Sequence, residues 1–188
     1  MLNAILEISP EKITTQDGKE VMHEWEHPIM EKMAEWVCQN GGDIIEFGFG
    51  MGISATYIQQ HNINSHTICE INPQILENLH EWAKDKPNVI ILEGDWYSNI
   101  DKMGKYDGLL FDTHNDLNWG KLYDLLPQIC NLGCHVTHWN NDSIPRTCIL
   151  RGPARKQTEY ELIEVDPPQN TYFNHKQFYM PKYIYNHV

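Results

Sequence analysis

Residues 43–52 read DIIEFGFGMG, an apolar run that passes into three glycines at alternate positions. The run from Asp43 to Phe47 is typical of a buried strand, and residues 53 to about 60 favour a helix after it. Glycine tolerates positive φ and lets a ligand approach the backbone closely. The stretch therefore predicts a strand, a tight turn and a helix, which is the layout of a nucleotide-cofactor loop.

An acidic residue follows the glycine turn at the spacing expected for a contact with the ribose of a nucleotide cofactor. A second apolar run ends in Glu70, 20 residues after Gly50, where a carboxylate can accept hydrogen bonds from ribose hydroxyls. Glu46 lies inside the strand before the turn, and a carboxylate there suits a cationic ligand better than a pyrophosphate. We therefore expect S-adenosyl-L-methionine, which carries an amino group and a sulfonium and no phosphate. An ordinary glycine turn with Glu70 at the surface is the alternative.

Length and net charge limit the number of domains and the kinds of ligand that the chain can have. The chain has 188 residues and a formal net charge of -12, which fits a single domain over 1–188 with a short N-terminal segment at 1–20. The acidic balance disfavours nucleic acid, because phosphates would be repelled. It suits a cationic ligand, or serves solubility alone. We also predict no membrane association, because no stretch approaches roughly 20 apolar residues and no secretory signal is evident.

The five cysteines are scattered, which favours a reduced, cytoplasmic protein. Cys130, Cys134, His135 and His138 fall within nine positions and are all potential zinc ligands. On a strand, however, His135 and His138 should point to opposite faces. We therefore predict no metal site.

Strands and helices alternate through the middle of the chain. Strands are predicted at 43–47, 66–70, 88–93, 106–111 and 134–139, with helices at 52–61, 73–84 and 121–128. Before them, residues from Val21 lead into a helix that begins at His27-Pro28 and ends at 40–42. Residues 159–165 and 171–180 are predicted as two strands joined by a short turn. The fold class is therefore α/β and Rossmann-like: a mostly parallel sheet with a C-terminal antiparallel hairpin and helices on both faces.

In such sheets ligands bind at the carboxyl ends of the strands. The residues expected at that edge are 47–52, 70–72, 94–96, 112–114 and 140–143. Trp96 can stack on a purine, and Asp95 can accept from an exocyclic amine. The alternative for Trp96 is a packed aromatic at a strand end.

Three motifs carry a family resemblance: M-x-x-W-E at Met22–Glu26, E-x-G-F-G-M at Glu46–Met51, and the segment Tyr106–Thr113. Together with 69–72 and 94–96 they resemble guanidinoacetate N-methyltransferase, over about residues 20 to 143 and again weakly near 167–173. The resemblance implies a class I S-adenosylmethionine-dependent methyltransferase. The same patterns occur in the related yeast-type arginine δ-N-methyltransferases, which tend to carry asparagine at the position of Glu46.

The resemblance also implies site residues. Glu26 and Asp112 would grip the guanidinium of the substrate, with Asp112 as the base. The implied cofactor contacts are Met22, Met30, Glu46, Gly48, Phe49, Gly50, Met51, Gly52, Ile53, Ser54, Ala55, Thr56, Glu70, Ile71, Asn72, Asp95, Trp96 and Asp112. The implied substrate contacts are Glu26, Asp112, Thr113, His114, Asp142 and Ser143. The family has tyrosine at His114 and an uncharged residue at Asp142.

Paired carboxylates suit this chemistry, because they bind a planar guanidinium and offset its repulsion from a sulfonium. Simpler roles are a helix cap for Asp112 and a helix-dipole partner for Glu26. The main hypothesis is N-methylation of a small guanidino compound, with guanidinoacetate, giving creatine, as first candidate. The alternatives are an arginine side chain in a peptide or protein, for which we expect an open groove beside Glu26, and a non-catalytic cofactor-binding module.

Overall fold

The computed structural model describes residues 4–147 and 149–186. Its elements follow in chain order. They are β1 (Leu6–Ile8), β2 (Lys12–Thr15), β3 (Glu20–His23), α1 (His27–Val37), β4 (Asp43–Phe47), α2 (Ile53–Ile58), β5 (Ser65–Glu70), α3 (Pro73–Ala83), β6 (Val89–Glu93), β7 (Tyr106–Phe111), α4 (Leu122–Ile129), β8 (Cys130–His138), α5 (Gly152–Gln157), β9 (Glu159–Glu164) and β10 (Gln177–Tyr185).

The main sheet has seven strands in the order β6-β5-β4-β7-β8-β10-β9. The five strands from β6 to β8 are parallel, and β10 runs antiparallel to both β8 and β9. The predicted α/β class, the mostly parallel sheet and the C-terminal antiparallel hairpin are therefore confirmed. Order reverses beside β4, so the carboxyl ends of β4, β5 and β7 surround one crevice.

The core lies on both faces of the sheet. Ile45 and Phe47 of β4 pack in one cluster with α4, whereas Ile44 packs in another with Met33 of α1. Gly108 of β7 permits the close approach of α1, because a Cβ there would lie 2.1 Å from the carbonyl oxygen of Val37. This alternation explains why β4 is apolar almost throughout.

The N-terminal prediction was incomplete. Residues 6–23 form a three-stranded antiparallel sheet rather than an unpatterned segment, whereas α1 begins at His27, as predicted. Leu6, Ile13 and Met22 of this sheet are buried, and Leu6 and Ile13 belong to one apolar cluster with Phe49 of the glycine turn. Strands of three or four residues carry too few apolar positions for the alternation to show in the sequence.

Two strand boundaries and one helix near the C-terminus also differ from the prediction. Strand β8 begins at Cys130 rather than at 134, and the short helix α5 was not predicted. Strand β10 begins at Gln177 rather than at 171, because the Asn170 side chain holds a turn by accepting from the amides of Tyr172 (3.0 Å) and Phe173 (2.7 Å).

The cysteine and histidine cluster is dispersed as expected for a strand. His135 stacks on Trp36, and His138 bonds Thr147 at 2.7 Å from the other face. Within 4–147 and 149–186, no group of three or more histidine, cysteine or acidic side chains could hold a metal ion. No helix in the same ranges is long and apolar enough to cross a bilayer.

Candidate active site

The glycine turn after β4 is built on positive φ values of 92° at Gly48, 54° at Gly50 and 73° at Gly52. A Cβ on Gly48 would lie 2.2 Å from the carbonyl oxygen of Asp112, so the turn can sit against the end of β7 only as glycine. The backbone of the turn is thereby brought beside the end of β7 and lines a cavity.

Glu70 closes this turn from the neighbouring strand. Its Oε2 accepts from the amide of Phe49 at 2.9 Å, and its Oε1 accepts from the amides of Ile71 (2.8 Å) and Asn72 (2.7 Å). The side chain is nearly buried yet lines the cavity. Since each carboxylate oxygen has two acceptor sites, Oε2 can accept one further hydrogen bond from a ligand.

A cavity of about 540 Å³ opens at this edge of the sheet. Of the predicted residues it is lined by Met22, Glu26, Gly48, Phe49, Gly50, Ser54, Glu70, Ile71, Asp95, Trp96, Asp112, Thr113 and His114. Among the described residues that line it there is no lysine or arginine. A wall that bears carboxylates and lacks such cations fits a positively charged ligand and disfavours a phosphate.

The other predicted cofactor residues do not line the cavity: Met30, Glu46, Met51, Gly52, Ile53, Ala55, Thr56 and Asn72. Glu46 is fully buried, where it accepts a hydrogen bond from Ser54 Oγ and lies 3.0 Å from Nε2 of His66. Its side chain therefore fixes the start of α2 rather than facing a ligand. Asn72 caps α3 by accepting from the amide of Gln74 at 3.0 Å.

Asp142 and Ser143 also lie outside the cavity. Asp142 is half-buried and pairs with Arg146 at 3.3 Å, while Ser143 lines a separate depression beside Trp25. From the loop after β8, Trp139 and Asn141 reach the cavity instead. The placement of Asp142 and Ser143 at the substrate is thus corrected, because the loop turns outward after Asn141.

Glu26 and Asp112 meet in the cavity. Glu26 is 2% exposed, and its Oε1 accepts from the amide of His23 at 2.8 Å and from the hydroxyl of Tyr172. Burial, together with the negative charge of Asp112, raises the pKa of Glu26 to about 8. Burial and the charge of Glu46 raise the pKa of Asp112 to about 7. Both carboxyl groups line the same cavity, where a bound cation would favour their ionised forms.

The structure also bears on the simpler roles of these two residues, a helix cap for Asp112 and a helix-dipole partner for Glu26. No helix follows Asp112 directly, so it caps none. Glu26 does precede α1, but its side chain makes no cap hydrogen bond to that helix. It accepts instead from the His23 amide at the start of the short 3₁₀ turn Glu24–Glu26. Glu26 lies in the wall of the cavity and is 2% exposed, so it is enclosed rather than at an open surface. The open groove expected beside it for a peptide substrate stays a prediction.

The loop after β7 is held by a tryptophan. Asp116 Oδ2 accepts from Trp96 Nε1 at 2.5 Å and from Thr113 Oγ1 at 3.0 Å. Trp96 is 4% exposed and packs edge-on against Phe47 and Phe111. It is therefore mainly a packed aromatic, the alternative that the sequence left open, with part of its surface on the cavity.

His114 follows in the same loop and lines the cavity. Its Nε2 is buried and makes no hydrogen bond to any described residue. Burial lowers the pKa of His114, so the ring is neutral at physiological pH. A neutral ring with an open nitrogen can accept or donate one hydrogen bond to a ligand.

The lining residues that were not anticipated from the sequence are Leu6, Ile13, Cys69, Ile75, Asn115, Asp116, Leu117, Asn118, Trp139 and Tyr172. Leu6 and Ile13 belong to the N-terminal sheet, whose strands are too short for the alternation to show in the sequence. Tyr172 is the most consequential, because it contacts Glu26 from a loop distant in sequence. Only the weak family resemblance near 172–173 pointed to it.

Comparison with known proteins agrees with this geometry. The family model described as guanidinoacetate N-methyltransferase matches residues 9–122, which include the glycine turn, Glu26, Glu70 and Asp112. The chain belongs to the guanidinoacetate N-methyltransferase family. It is thereby a class I S-adenosylmethionine-dependent methyltransferase, and the cavity at the glycine turn is the candidate site for that cofactor.

Curated relatives of this family member carry the name protein arginine N-methyltransferase 2. The one from Candida glabrata is 34% identical over 144 residues, 69% of this chain and 35% of the relative. The one from Saccharomyces cerevisiae is 32% identical over 143 residues, 70% of this chain and 34% of the relative. The chain thus spans about a third of the length of the curated relatives that it matches.

Solved structures agree on the fold of this family member. Spermidine synthase from Thermotoga maritima has a TM-score of 0.67 at 12% identity and covers 96% of this chain, with 72% of its own chain matched. A precorrin-6y C5,15-methyltransferase from Geobacter metallireducens has a TM-score of 0.63 at 12% identity, with 96% and 94% covered. At such identities the likeness concerns the Rossmann-like methyltransferase fold alone.

Proposed function

We propose that this protein transfers a methyl group from S-adenosyl-L-methionine to a guanidino nitrogen of an arginine side chain in a peptide or protein. The observation that carries the guanidino assignment is the pair Glu26 and Asp112, which line one cavity beside the glycine turn. The names of the relatives favour arginine over guanidinoacetate as the acceptor. Residues 1–188 would act as one methyltransferase domain, and its cytoplasmic location stays a prediction.

In this proposal the residues divide the cavity between two ligands. Glu70 and Asp95 would accept from the ribose and the adenine amine, with the backbone of 48–50, Met22 and Trp96 around them. When bound, the cofactor supplies the methyl group, and S-adenosylhomocysteine is left. Glu26 and Asp112 would hold the guanidinium, because carboxylates match its planar fork of donors.

Asp112 is the proposed base. A guanidinium holds its protons with a pKa above about 12 in water, so the attacking nitrogen must lose one as it bonds to the methyl carbon. Asp112 directly follows β7 beside the glycine turn, and its carboxylate can take that proton when ionised. Glu26 fixes the other side of the guanidinium. Alignment of acceptor and donor supplies much of the acceleration.

A small guanidino compound is the second candidate acceptor. The enclosed position of Glu26, 2% exposed, favours a compact substrate over a peptide lying in a groove. An arginine side chain can still enter such a cavity, since its guanidinium stands at the end of a flexible three-carbon stem. The two candidates therefore differ in what must fit at the mouth of the cavity.

The test is methyl incorporation from labelled S-adenosylmethionine into guanidinoacetate, free arginine, an arginine peptide and the same peptide with lysine. We expect product from the arginine peptide and none from the lysine peptide, with the methylated nitrogen located by mass spectrometry. Product from guanidinoacetate alone would select the second candidate. Tight binding of S-adenosylhomocysteine with no product from any acceptor would favour the non-catalytic module.

A further inference from the structure

Both acceptor sites of one oxygen of Glu26 are already occupied. The amide of His23 donates to Oε1 at 2.8 Å, and the hydroxyl of Tyr172 donates to the same atom. A carboxylate oxygen has two lone pairs. Oε2 is therefore the oxygen of Glu26 left to meet an acceptor in the cavity, and the direction it faces is set by the two donors to Oε1.

Tyr172 is itself held in place on several sides. Its ring stacks on Trp25 with centroids 6.2 Å apart and an interplanar angle of 28°. Its amide donates to Oδ1 of Asn170 at 3.0 Å. The amide of the preceding Thr171 donates to Oε2 of Glu20 at 2.7 Å. The hydroxyl is thus carried by a fixed loop rather than by a free side chain.

Glu20 contacts His23 directly and contacts Tyr172 through its neighbour Thr171. Its Oε1 lies 3.1 Å from Nε2 of His23 and 3.1 Å from Nζ of Lys12, while its Oε2 holds Thr171. Glu20 and Glu26 are therefore joined twice, once through His23 and once through the Thr171–Tyr172 pair. Burial opposes the charge on Glu20, but the hydrogen bonds from Lys12 and Thr171, together with the nearby ring of His23, outweigh it and lower its pKa to about 2.

We infer that Tyr172 is a positioning residue for methyl transfer: its hydroxyl saturates Oε1 of Glu26, aims Oε2 at the guanidino group, and is anchored through Thr171 to Glu20. The inference rests on the proposed function for its link to catalysis. Tyr172 lies in the loop between β9 and β10 and lines the cavity from there. It touches Glu26 and stabilises its ionised form, because it donates to the carboxylate.

The ionised state of Glu26 depends on all groups that face it. Burial and then the repulsion from Asp112 at the end of β7 raise its pKa, whereas the Tyr172 hydroxyl and the His23 amide lower it. His114 lines the same cavity and is neutral. Loss of the hydroxyl removes one of the two stabilising donors, so Glu26 becomes harder to ionise.

The variant Tyr172→Phe tests this, because phenylalanine keeps the ring on Trp25 and loses the hydroxyl. With the arginine peptide as acceptor, we expect KM to rise about tenfold, the usual size for a hydrogen bond to a charged group. The acidic limb of kcat/KM should move to higher pH, and the Kd of S-adenosylhomocysteine should stay unchanged. Tyr57→Phe is the matched control, since it loses a hydroxyl that bonds His27 at 3.2 Å outside the cavity.

A second measurement needs no acceptor. Carboxyl ¹³C resonances of labelled glutamate, assigned by Glu26→Gln, report the titration of Glu26 in the wild type, Tyr172→Phe and Glu20→Gln. We expect its midpoint to rise in both variants, more in Tyr172→Phe. An unchanged midpoint in Tyr172→Phe overturns the inference whether or not any acceptor is methylated. A raised midpoint in Tyr172→Phe, together with a wild type that methylates no acceptor, would overturn the proposed function instead and leave Tyr172 as a residue that positions Glu26.

Discussion

Oε2 of Glu70 accepts a hydrogen bond from the amide of Phe49 at 2.9 Å. This contact joins the carboxyl end of β5 to the glycine turn after β4, and so links the two features that first indicated a cofactor loop. The same carboxylate also binds the amides of Ile71 and Asn72 through Oε1. Glu70 is therefore a support of the cavity wall as well as a proposed partner for the ribose.

Glu70→Gln should weaken both the wall and the cofactor site. Glutamine offers one acceptor oxygen, so at least one of the three backbone amides loses its partner. We expect the free energy of unfolding to fall by about 1–3 kcal/mol and the Kd of S-adenosylhomocysteine to rise, as measured by urea unfolding and calorimetry. Glu93→Gln is the control, because Glu93 is exposed and bonds His80 on the surface. Equal affinities in wild type and Glu70→Gln would remove Glu70 from the cofactor site.

Asp112→Asn should abolish transfer while sparing the cofactor. The amide is nearly isosteric but cannot take a proton, so we expect methyl transfer to fall by about 10²–10⁴-fold. The Kd of S-adenosylhomocysteine should change little. Asp101→Asn, an exposed residue outside the cavity, is the matched control. Full activity in Asp112→Asn would exclude Asp112 as the base.

Binding of a guanidino acceptor should strengthen as pH rises. The pKa values of Glu26 (about 8) and Asp112 (about 7) mean that the empty pair retains protons near neutrality. A guanidinium needs both groups ionised, so its binding must expel these protons. We expect the affinity for the arginine peptide to increase from pH 6 to pH 9, with proton release seen by calorimetry in two buffers. A pH-independent affinity would contradict the pairing.

The same pKa values predict how the stability of the unliganded protein varies with pH. A carboxyl whose pKa is raised on folding binds more protons in the folded state, so the free energy of unfolding falls as pH rises through its folded pKa. His138 and Glu20, with folded pKa values near 4 and 2, act in the opposite direction, but their effect is complete by about pH 7. Between pH 7 and pH 9 we therefore expect a loss of about 1 kcal/mol in wild type from Glu26. Urea unfolding of Glu26→Gln should show a smaller loss, and an equal loss would argue against the raised pKa of Glu26.

Gly108→Ala should destabilise the sheet strongly. A Cβ there would lie 2.1 Å from the carbonyl oxygen of Val37, and α1 would have to move away from β7. We expect a loss of at least about 1–3 kcal/mol in the free energy of unfolding. Gly104→Ala is the control, since no heavy atom lies within 4 Å of a Cβ at that exposed position. Similar thermal stability of the two variants would contradict the tight packing of α1 on β7.

The sequence predicted the sheet well because each buried strand is a short apolar run bounded by turn residues. The bounds of Tyr106–Phe111 are those predicted, and the strand at Asp43–Phe47 also matches. The glycine turn and Glu70 were readable for the same reason, since positive φ and a fixed βαβ spacing leave a local signature. Asp112 follows from its place at the end of a strand, and Glu26 from a motif.

Tertiary packing determined side-chain contacts that no local sequence pattern indicates. Glu46 looked like a ligand contact, but the fold buries it between Ser54 and His66. Tyr172 looked like one strand residue among several, but the chain returns it to Glu26 across 146 positions. Spacing along the chain reports which face a side chain takes, because helices and strands have fixed periods. It does not report which distant side chain closes on that face, because that depends on how loops and short strands pack over the finished sheet.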